Sequence, residues 1–387
     1  MNDKLEAIYS DDRYFGVSDR IARWKEVSDF ELALSLDAEK NPHSKSLYAR
    51  YYRELNPEYY EKGKIAAKEL FDNHSHDFID QDFESIYEDM VYCLHRYGFS
   101  FQDYCIYNLN DRTEHCRKQF VSDKLRYYYC DILNDPDVES LMTNKLSCFK
   151  EYKSFYKREV CPVSAIEDKA GFYDFISRHN RFIYKPLNDH SGHGIQIVDI
   201  NNTNPGEWFY NVISERPGIV EELIIQGEIM SRINRSSINS CRVVAFTIGS
   251  DVKIIGGALR MGVGDAVTDN AGSGGIYASI DTDTGIIQSD AKNYLNHHFR
   301  YHPTSNTQII GFQLPEWDKA RDLITRMSTH RKGTTLISWD IAYSDRGWCM
   351  VEANDNGDWS IIQSNLCRGK KKELYDLMDK YFIWKIK

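Results

Sequence analysis

Residues Ile337 to Ser360 read ISWDIAYSDRGWCMVEANDNGDWS, two β-rich runs separated by Asp-Arg-Gly. That punctuation predicts an antiparallel hairpin. Side chains alternate along a strand with a period of two, so Glu352 and Asn354 share one face of the second arm, with Asp340 on the first arm. Two carboxylates and an amide oxygen converging across a hairpin are hard oxygen donors, suited to Mg²⁺ held jointly with substrate phosphates. The plainer alternative makes Asp340 and Glu352 edge or solvent-facing residues. Their neighbours Trp339, Ile341, Met350 and Val351 are apolar, however, and carboxylates at that level are costly unless paired or metal-bound. The residues alone therefore favour a metal site.

Working upstream, Lys185 ends the apolar strand RFIYKP (181–186), just before the small-residue loop NDHSGHG (188–194). A lysine at a strand end supplies a point charge for phosphate, and Gly192 and Gly194 let backbone N–H groups approach closely. His190 and His193 could assist, although loop histidines are usually just solvated. Neither the P-loop nor the dinucleotide glycine fingerprint occurs. IVEELIIQGE (219–228) carries Glu221, Glu222 and Glu228, which can accept from an adenine amino group or ribose hydroxyls. Taken by itself, that segment is better read as a strand end and a charged turn.

The 387 residues suffice for two or three domains, and 42% hydrophobic with 27% charged residues is ordinary globular usage, excluding disorder as the main state. The net charge of -10 is uneven: residues 1–140 hold 29 acidic and 18 basic side chains, leaving the rest near neutral. That excess argues against a nucleic-acid partner, whose phosphates need Lys and Arg. Nine scattered cysteines without a C-x-x-C pair predict a reduced, cytoplasmic chain with neither zinc nor disulfides. No apolar signal core or 18-residue apolar run is present, so no integral membrane segment is expected.

ELALSLDAEK, KGKIAAKELF, FESIYEDMVYCLHRYG and HCRKQFVSDKLRYYYCDIL space their apolar residues near 3.6, predicting a helical region over 1–140. It holds fifteen of the 26 tyrosines, read as a packing surface in preference to a saccharide or partner platform. After Pro162 the texture turns to short strands, with one helix opened by Pro315 and another formed by KKKELYDLMDKYF at the end. Strands and helices mix without regular βαβ alternation, so the fold class is α+β.

In order, NK (144–145), YKP (184–186), VEE-x-I-x-Q (220–226), SSINSCRVV (236–244), ALRMG (258–262), TDNAGSGGI (268–276), SWDIA (338–342) and VEANDNGD (351–358) resemble the ATP-grasp superfamily, specifically its sugar-transfer-associated members in bacterial polysaccharide biosynthesis. The resemblance runs from about Gly98 to the end. It implies a mainly helical region 1–140, a central ATP-grasp lobe 141–220 with a mobile glycine loop, and a C-terminal lobe 221–387 with the metal site. Lys145 and Lys185 match the two lysines that embrace the ATP phosphates. Ser191, Gly192 and Gly194 match the mobile loop, Glu221, Glu222 and Leu223 the adenine hinge, and Glu228 the ribose-binding acid. Asp340, Glu352 and Asn354 match the metal triad, implying ATP with two Mg²⁺ ions. Arg242 and Arg260 match arginines near the γ-phosphate and acceptor, while Asn270, Gly274 and Gly275 lie in a D-N-x-x-x-G-G segment expected at the substrate. The sequence departs from its relatives in having NK for DK, NSCR for NTIR, and EANDNGD where other ATP-grasp enzymes have N-x-x-P-G.

The function implied is an ATP-dependent carboxylate–amine ligase working through an acyl phosphate on a sugar or polysaccharide precursor. Association with other polysaccharide-biosynthesis enzymes accompanies that expectation. A phosphotransferase acting on an alcohol and a non-catalytic nucleotide-binding regulator are the alternatives.

Overall fold

Leu336–Ser344 and Gly347–Asn354 form the expected antiparallel hairpin in the computed structural model. Gly347 takes φ +80° at the turn, backbone that a Cβ disfavours. Ile337, Trp339 and Ile341 enter the core, and the alternation leaves Ser338 and Asp340 on the opposite face. The structure describes residues 14–16, 24–26, 28–188 and 194–385.

The chain divides into two compact units, one holding 133–293 and 299–357, the other the residues up to 132 with 294–298 and 358 onward. The C-terminal helix Lys371–Lys385 thus belongs with the N-terminal helices, although the sequence groups it with the second lobe.

The unit containing the hairpin has two antiparallel sheets. In the larger, Ala291–Lys292, Ile276–Ser279, Asp251–Met261, Ser240–Ile248, Leu336–Ser344 and Gly347–Asn354 neighbour one another in that order. Helix Trp317–His330 places Ala320, Leu323, Ile324 and Met327 in its core, and helix Lys145–Tyr156 adds Phe149, Tyr152 and Phe155. Tyr152 meets Trp339 edge to face at 5.4 Å, a geometry that favours aromatic pairs. The smaller sheet runs Val160–Val163, Gly218–Glu222, Arg181–Pro186, Gln196–Asp199. Phe172 of helix Lys169–Arg178 stacks there on Trp208 and Phe209 of helix Pro205–Glu215 at 5.3 Å.

The other unit packs helices Asp29–Ala38, Pro42–Leu55, Pro57–Asn73 and Phe83–Arg96 around a tyrosine-rich core. Asn41 and Asn56 cap two of them ahead of a first-turn proline. Tyr48, Tyr87, Tyr92 and Tyr104 are fully buried. Tyr104 donates to Asp89 at 2.7 Å, which also holds Arg117, so the acidic surplus is partly internal pairing.

Two expected helices differ. HCRKQFVSDKLRYYYCDIL breaks into Glu114–Arg117 and Asp123–Leu133, because Val121 N–H donates to Gln363 Oε1 (2.9 Å) and Ser122 Oγ to Tyr97 O (2.7 Å). Pro315 lies outside its helix, which starts at Trp317. The Pro315 carbonyl instead accepts from Trp348 Nε1 at 2.8 Å.

Candidate functional site

Adjacent strands of the large sheet carry one polar row. Asp340 stands directly opposite Arg242 on one side and Glu352 on the other, and opposed residues share a face. Arg242 grips it with both edges of its fork, Nε to Oδ1 at 2.9 Å and Nη2 to Oδ2 at 2.8 Å. Arg260 Nη2 lies 3.1 Å from Oδ2 and also donates to Ser240 Oγ at 2.7 Å. Asp340 is 2% exposed. Burial pushes its carboxyl up, but the two guanidiniums outweigh that and hold it below the usual carboxylate range.

Asp269, which the sequence does not single out, accepts from Ser240 N–H at 2.7 Å and Ser240 Oγ at 2.5 Å. It thereby anchors the serine on which Arg260 rests. Its position just before Asn270 in the TDN run is the signal that could have found it.

The hairpin is irregular at the decisive point. Ile341 pairs with Met350 but Asp340 with Glu352, leaving Val351 as an extra residue. A one-residue register change exchanges faces. Without the bulge, Asp340 would oppose Val351, and Glu352 and Asn354 would point into the core. The period of two places Glu352 and Asn354 together; only the bulge puts them on the face of Asp340. Among the described residues, Asn354 Nδ2 is buried there without a hydrogen-bond partner.

Lys145 opens its helix behind the Asn144 cap and donates its N–H to Leu187 O at 3.0 Å, tying it to the end of the Lys185 strand. Its Nζ lies 3.7 Å from Glu352 Oε1, whose side chain is 40% exposed. Lys185 Nζ contacts Glu221 Oε2 at 3.0 Å, and Arg158 Nη2 contacts the same oxygen at 2.7 Å. Burial raises the Glu221 carboxyl, yet Arg158 and Lys185 win and hold it low.

Other expected residues are placed as follows. Glu222 pairs with Arg346 of the hairpin turn, whose hydrogen bond holds its carboxyl below the usual range. Leu223 lines a cavity with Tyr156, Lys157, Ile224 and Arg346. Glu228, 69% exposed, pairs with Arg235 at 2.7 Å. Asn270 caps the turn Ala271–Ser273 by accepting from Gly272 N–H at 3.0 Å. Gly274 takes φ +92°, and a Cβ on Gly275 would lie 2.6 Å from Asp269 O, so this loop requires its glycines. Gly194 takes φ +73°; Ser191, Gly192, His190 and His193 lie outside the described residues.

Among the described residues no three His, Cys, Asp or Glu side chains group as a metal site. A metal beside Asp340 and Glu352 would take its further donors from other oxygens, an amide, water or phosphate. Among those residues none of the nine cysteines is disulfide-bonded, and no helix is long and apolar enough to cross a membrane.

No curated protein matches the chain. Solved structures similar to it include a carboxyaminoimidazole ribonucleotide synthase from Aspergillus clavatus complexed with ATP (10% identity, TM-score 0.35, 57% of this chain and 46% of that one). D-alanyl-alanine synthetase A from Vibrio cholerae (12%, 0.41, 65% and 67%) and D-alanine–D-alanine ligase from Helicobacter pylori (13%, 0.37, 62% and 61%) are others. The chain spans about half the length of the first of these, 46%. Residues 209–374 match the family described as sugar-transfer associated ATP-grasp. That stretch includes Glu221, Glu222, Leu223, Glu228, Arg242, Arg260, Asn270, Gly274, Gly275, Asp340, Glu352 and Asn354, whereas Lys145 and Lys185 precede it. The chain thus has an ATP-grasp fold of mixed helix and sheet with an N-terminal helical region, and its residues 209–374 match the sugar-transfer associated ATP-grasp family.

Proposed function

We propose that the protein is an ATP-dependent carboxylate–amine ligase acting on a sugar or surface-polysaccharide precursor. The carrying observation is the cross-strand row Arg242–Asp340–Glu352 within the family-matched segment. In the reaction proposed, a substrate carboxylate attacks the γ-phosphorus of ATP, ADP leaves, and an amine displaces phosphate from the acyl phosphate to form an amide. Positioning and charge neutralisation supply most of such catalysis.

Lys145 and Lys185 would bind the phosphates, with Ser191, Gly192 and Gly194 over them. Glu222 and Leu223 would face adenine through backbone groups and Glu228 the ribose. Arg260 and Arg242, held by Asp340 and Ser240, would meet negative charge developing on the transferred group and on the later oxyanion. Asn270, Gly274 and Gly275 would flank the acceptor.

Asp340, Glu352 and Asn354 fit a magnesium ion in donor chemistry. Among the described residues Asp340 Oδ1 takes one guanidinium contact where Oδ2 takes two, so a lone pair remains, and the buried Asn354 Nδ2 lacks a partner. An amide's oxygen and nitrogen exchange places on a flip, which would present the oxygen. A dication here would neutralise phosphate charge. The family description supports a sugar-linked substrate.

Mass spectrometry after incubation with Mg-ATP, pooled amino acids and nucleotide sugars tests the reading. An amide product with ADP, and a hydroxamate when hydroxylamine is added, are expected. A stable phosphomonoester would overturn the ligase in favour of a phosphotransferase.

A further inference from the structure

The Arg158 side chain is 3% exposed and touches both sheets of its unit. On the small sheet its Nε and Nη2 lie 2.8 and 2.7 Å from Glu221 Oε2. On the large sheet Nη1 donates to Met350 O at 2.6 Å and Nη2 to Val351 O at 3.3 Å, with Tyr156 O a further acceptor at 3.1 Å. Met350 and Val351 flank the point where the hairpin register shifts, and bulges take backbone groups out of the regular ladder. Arg158 therefore supplies donors where the strand departs from its pairing.

The same guanidinium settles the charge around Lys185. Glu221 Oε2 is 3.0 Å from Lys185 Nζ while it holds Arg158. Among the described residues one carboxylate thus faces two cations, and one positive charge is left over in a buried place. Uncompensated buried charge is costly, and an incoming polyanion removes that cost. Without Arg158, Glu221 and Lys185 would form a closed pair, which a phosphate would have to break.

We infer that Arg158 is a positioning residue for the nucleotide. It occupies Glu221 so that Lys185 keeps its charge for phosphate. The inference deepens the ATP-binding reading and rests on it.

Calorimetric titration of the full chain with Mg-ATP and with adenosine tests it. If the unsubstituted protein binds no Mg-ATP, the ATP reading itself falls. Given binding, Arg158→Gln is expected to weaken Mg-ATP about tenfold or more while adenosine changes by less than about twofold, since a buried charge acts on the phosphates and not on the nucleoside. Adding Glu221→Gln to that variant frees Lys185 again, and most of the Mg-ATP affinity is expected to return. Equal losses for the two ligands, or no recovery in the double variant, would mean a purely structural role and overturn the inference. Should Arg158→Gln fail to fold, Glu221→Gln compared with the double variant tests the same point. Once the carboxylate is gone, losing Arg158 is expected to change Mg-ATP affinity by less than about threefold, and a larger change overturns the inference.

Discussion

Arg242 and Asp340 face each other across neighbouring antiparallel strands and meet through two hydrogen bonds of 2.9 and 2.8 Å. Asp340 is 2% exposed and Arg242 13%, so removing the carboxylate takes away a counter-charge in a place largely closed to water. Asp340→Asn keeps the shape but leaves Arg242 and Arg260 without their shared carboxylate. It is expected to destabilise the fold by about 3 to 5 kcal/mol, the usual cost of breaking a buried pair from one side. Urea unfolding should show a lower midpoint with an unchanged slope. A midpoint within error of the parent would mean that the pair is open to water and contributes little.

Asp340 and Glu221 both have carboxyls held below the usual range, against the opposing effect of burial, by Arg242 and Arg260 in one case and Arg158 and Lys185 in the other. A lowered folded-state pKa means that the unfolded state binds protons first. The stabilisation is therefore complete above the unfolded values of about 3.9 and 4.3 and is lost as pH falls through the lower folded ones. Urea midpoints measured from pH 7 downward should hold steady to roughly pH 5 and then drop. Asp340→Asn should drop less steeply, because one of the titrating carboxylates is gone.

The hairpin, the strand order of its motifs and the shared face of Glu352 and Asn354 were legible because turn residues and a period of two are local signals. The bulge was not. It shows only as Val351 having no counterpart on Leu336–Ser344, and no property of valine announces that. Arg158 was invisible for a related reason: apart from Tyr156 O its partners lie far off in sequence, at 221 and at 350–351, and no local motif surrounds it. The break at Val121 likewise depends on Gln363, 242 residues away in sequence. The tyrosine surplus, by contrast, was correctly legible as packing, since Tyr48, Tyr87, Tyr92 and Tyr104 are buried.

Tyr104 shows what that core demands of its hydroxyls. It donates to Asp89 at 2.7 Å beside Arg117 and Lys45. Tyr104→Phe removes one donor but leaves the carboxylate paired with two cations. Its cost should stay near that of a hydrogen bond to a charged group, about 1.5 to 3 kcal/mol, read from urea midpoints. Asp89→Asn should cost more, because Arg117, itself buried, loses its closer carboxylate at 2.6 Å and keeps only Glu114 at 3.3 Å.

Lys185→Ala separates ligand binding from folding. Glu221 keeps Arg158 when Lys185 is removed, so the buried carboxylate stays compensated and stability should change by no more than about 1 to 2 kcal/mol. Mg-ATP affinity should nevertheless fall about tenfold or more, as expected for losing one charge-assisted contact to phosphate. Titration calorimetry and thermal denaturation on the same sample distinguish the two. Unaltered Mg-ATP affinity would count against the phosphate role of Lys185.

Glu352 is the one carboxylate of the row with substantial exposure, and its nearest cation among the described residues, Lys145, sits at 3.7 Å, beyond hydrogen-bond range. It is therefore the group freest to take a dication, whereas Asp340 is held by two guanidiniums. Glu352→Gln keeps an oxygen donor, now an amide's, but loses the charge; the buried Lys145 stands 3.7 Å away without a hydrogen bond to it, so folding should change by less than about 1 kcal/mol. Metal affinity should suffer instead. In a titration of ADP release against Mg²⁺ at saturating ATP, half-maximal turnover should move to about tenfold higher Mg²⁺ or more, because hard divalent ions bind carboxylate far better than amide. Water-proton relaxation with Mn²⁺ supplies a second reading that does not depend on turnover. An unchanged Mg²⁺ midpoint together with unchanged Mn²⁺ binding would remove Glu352 from the metal site and leave it as a partner of Lys145 alone.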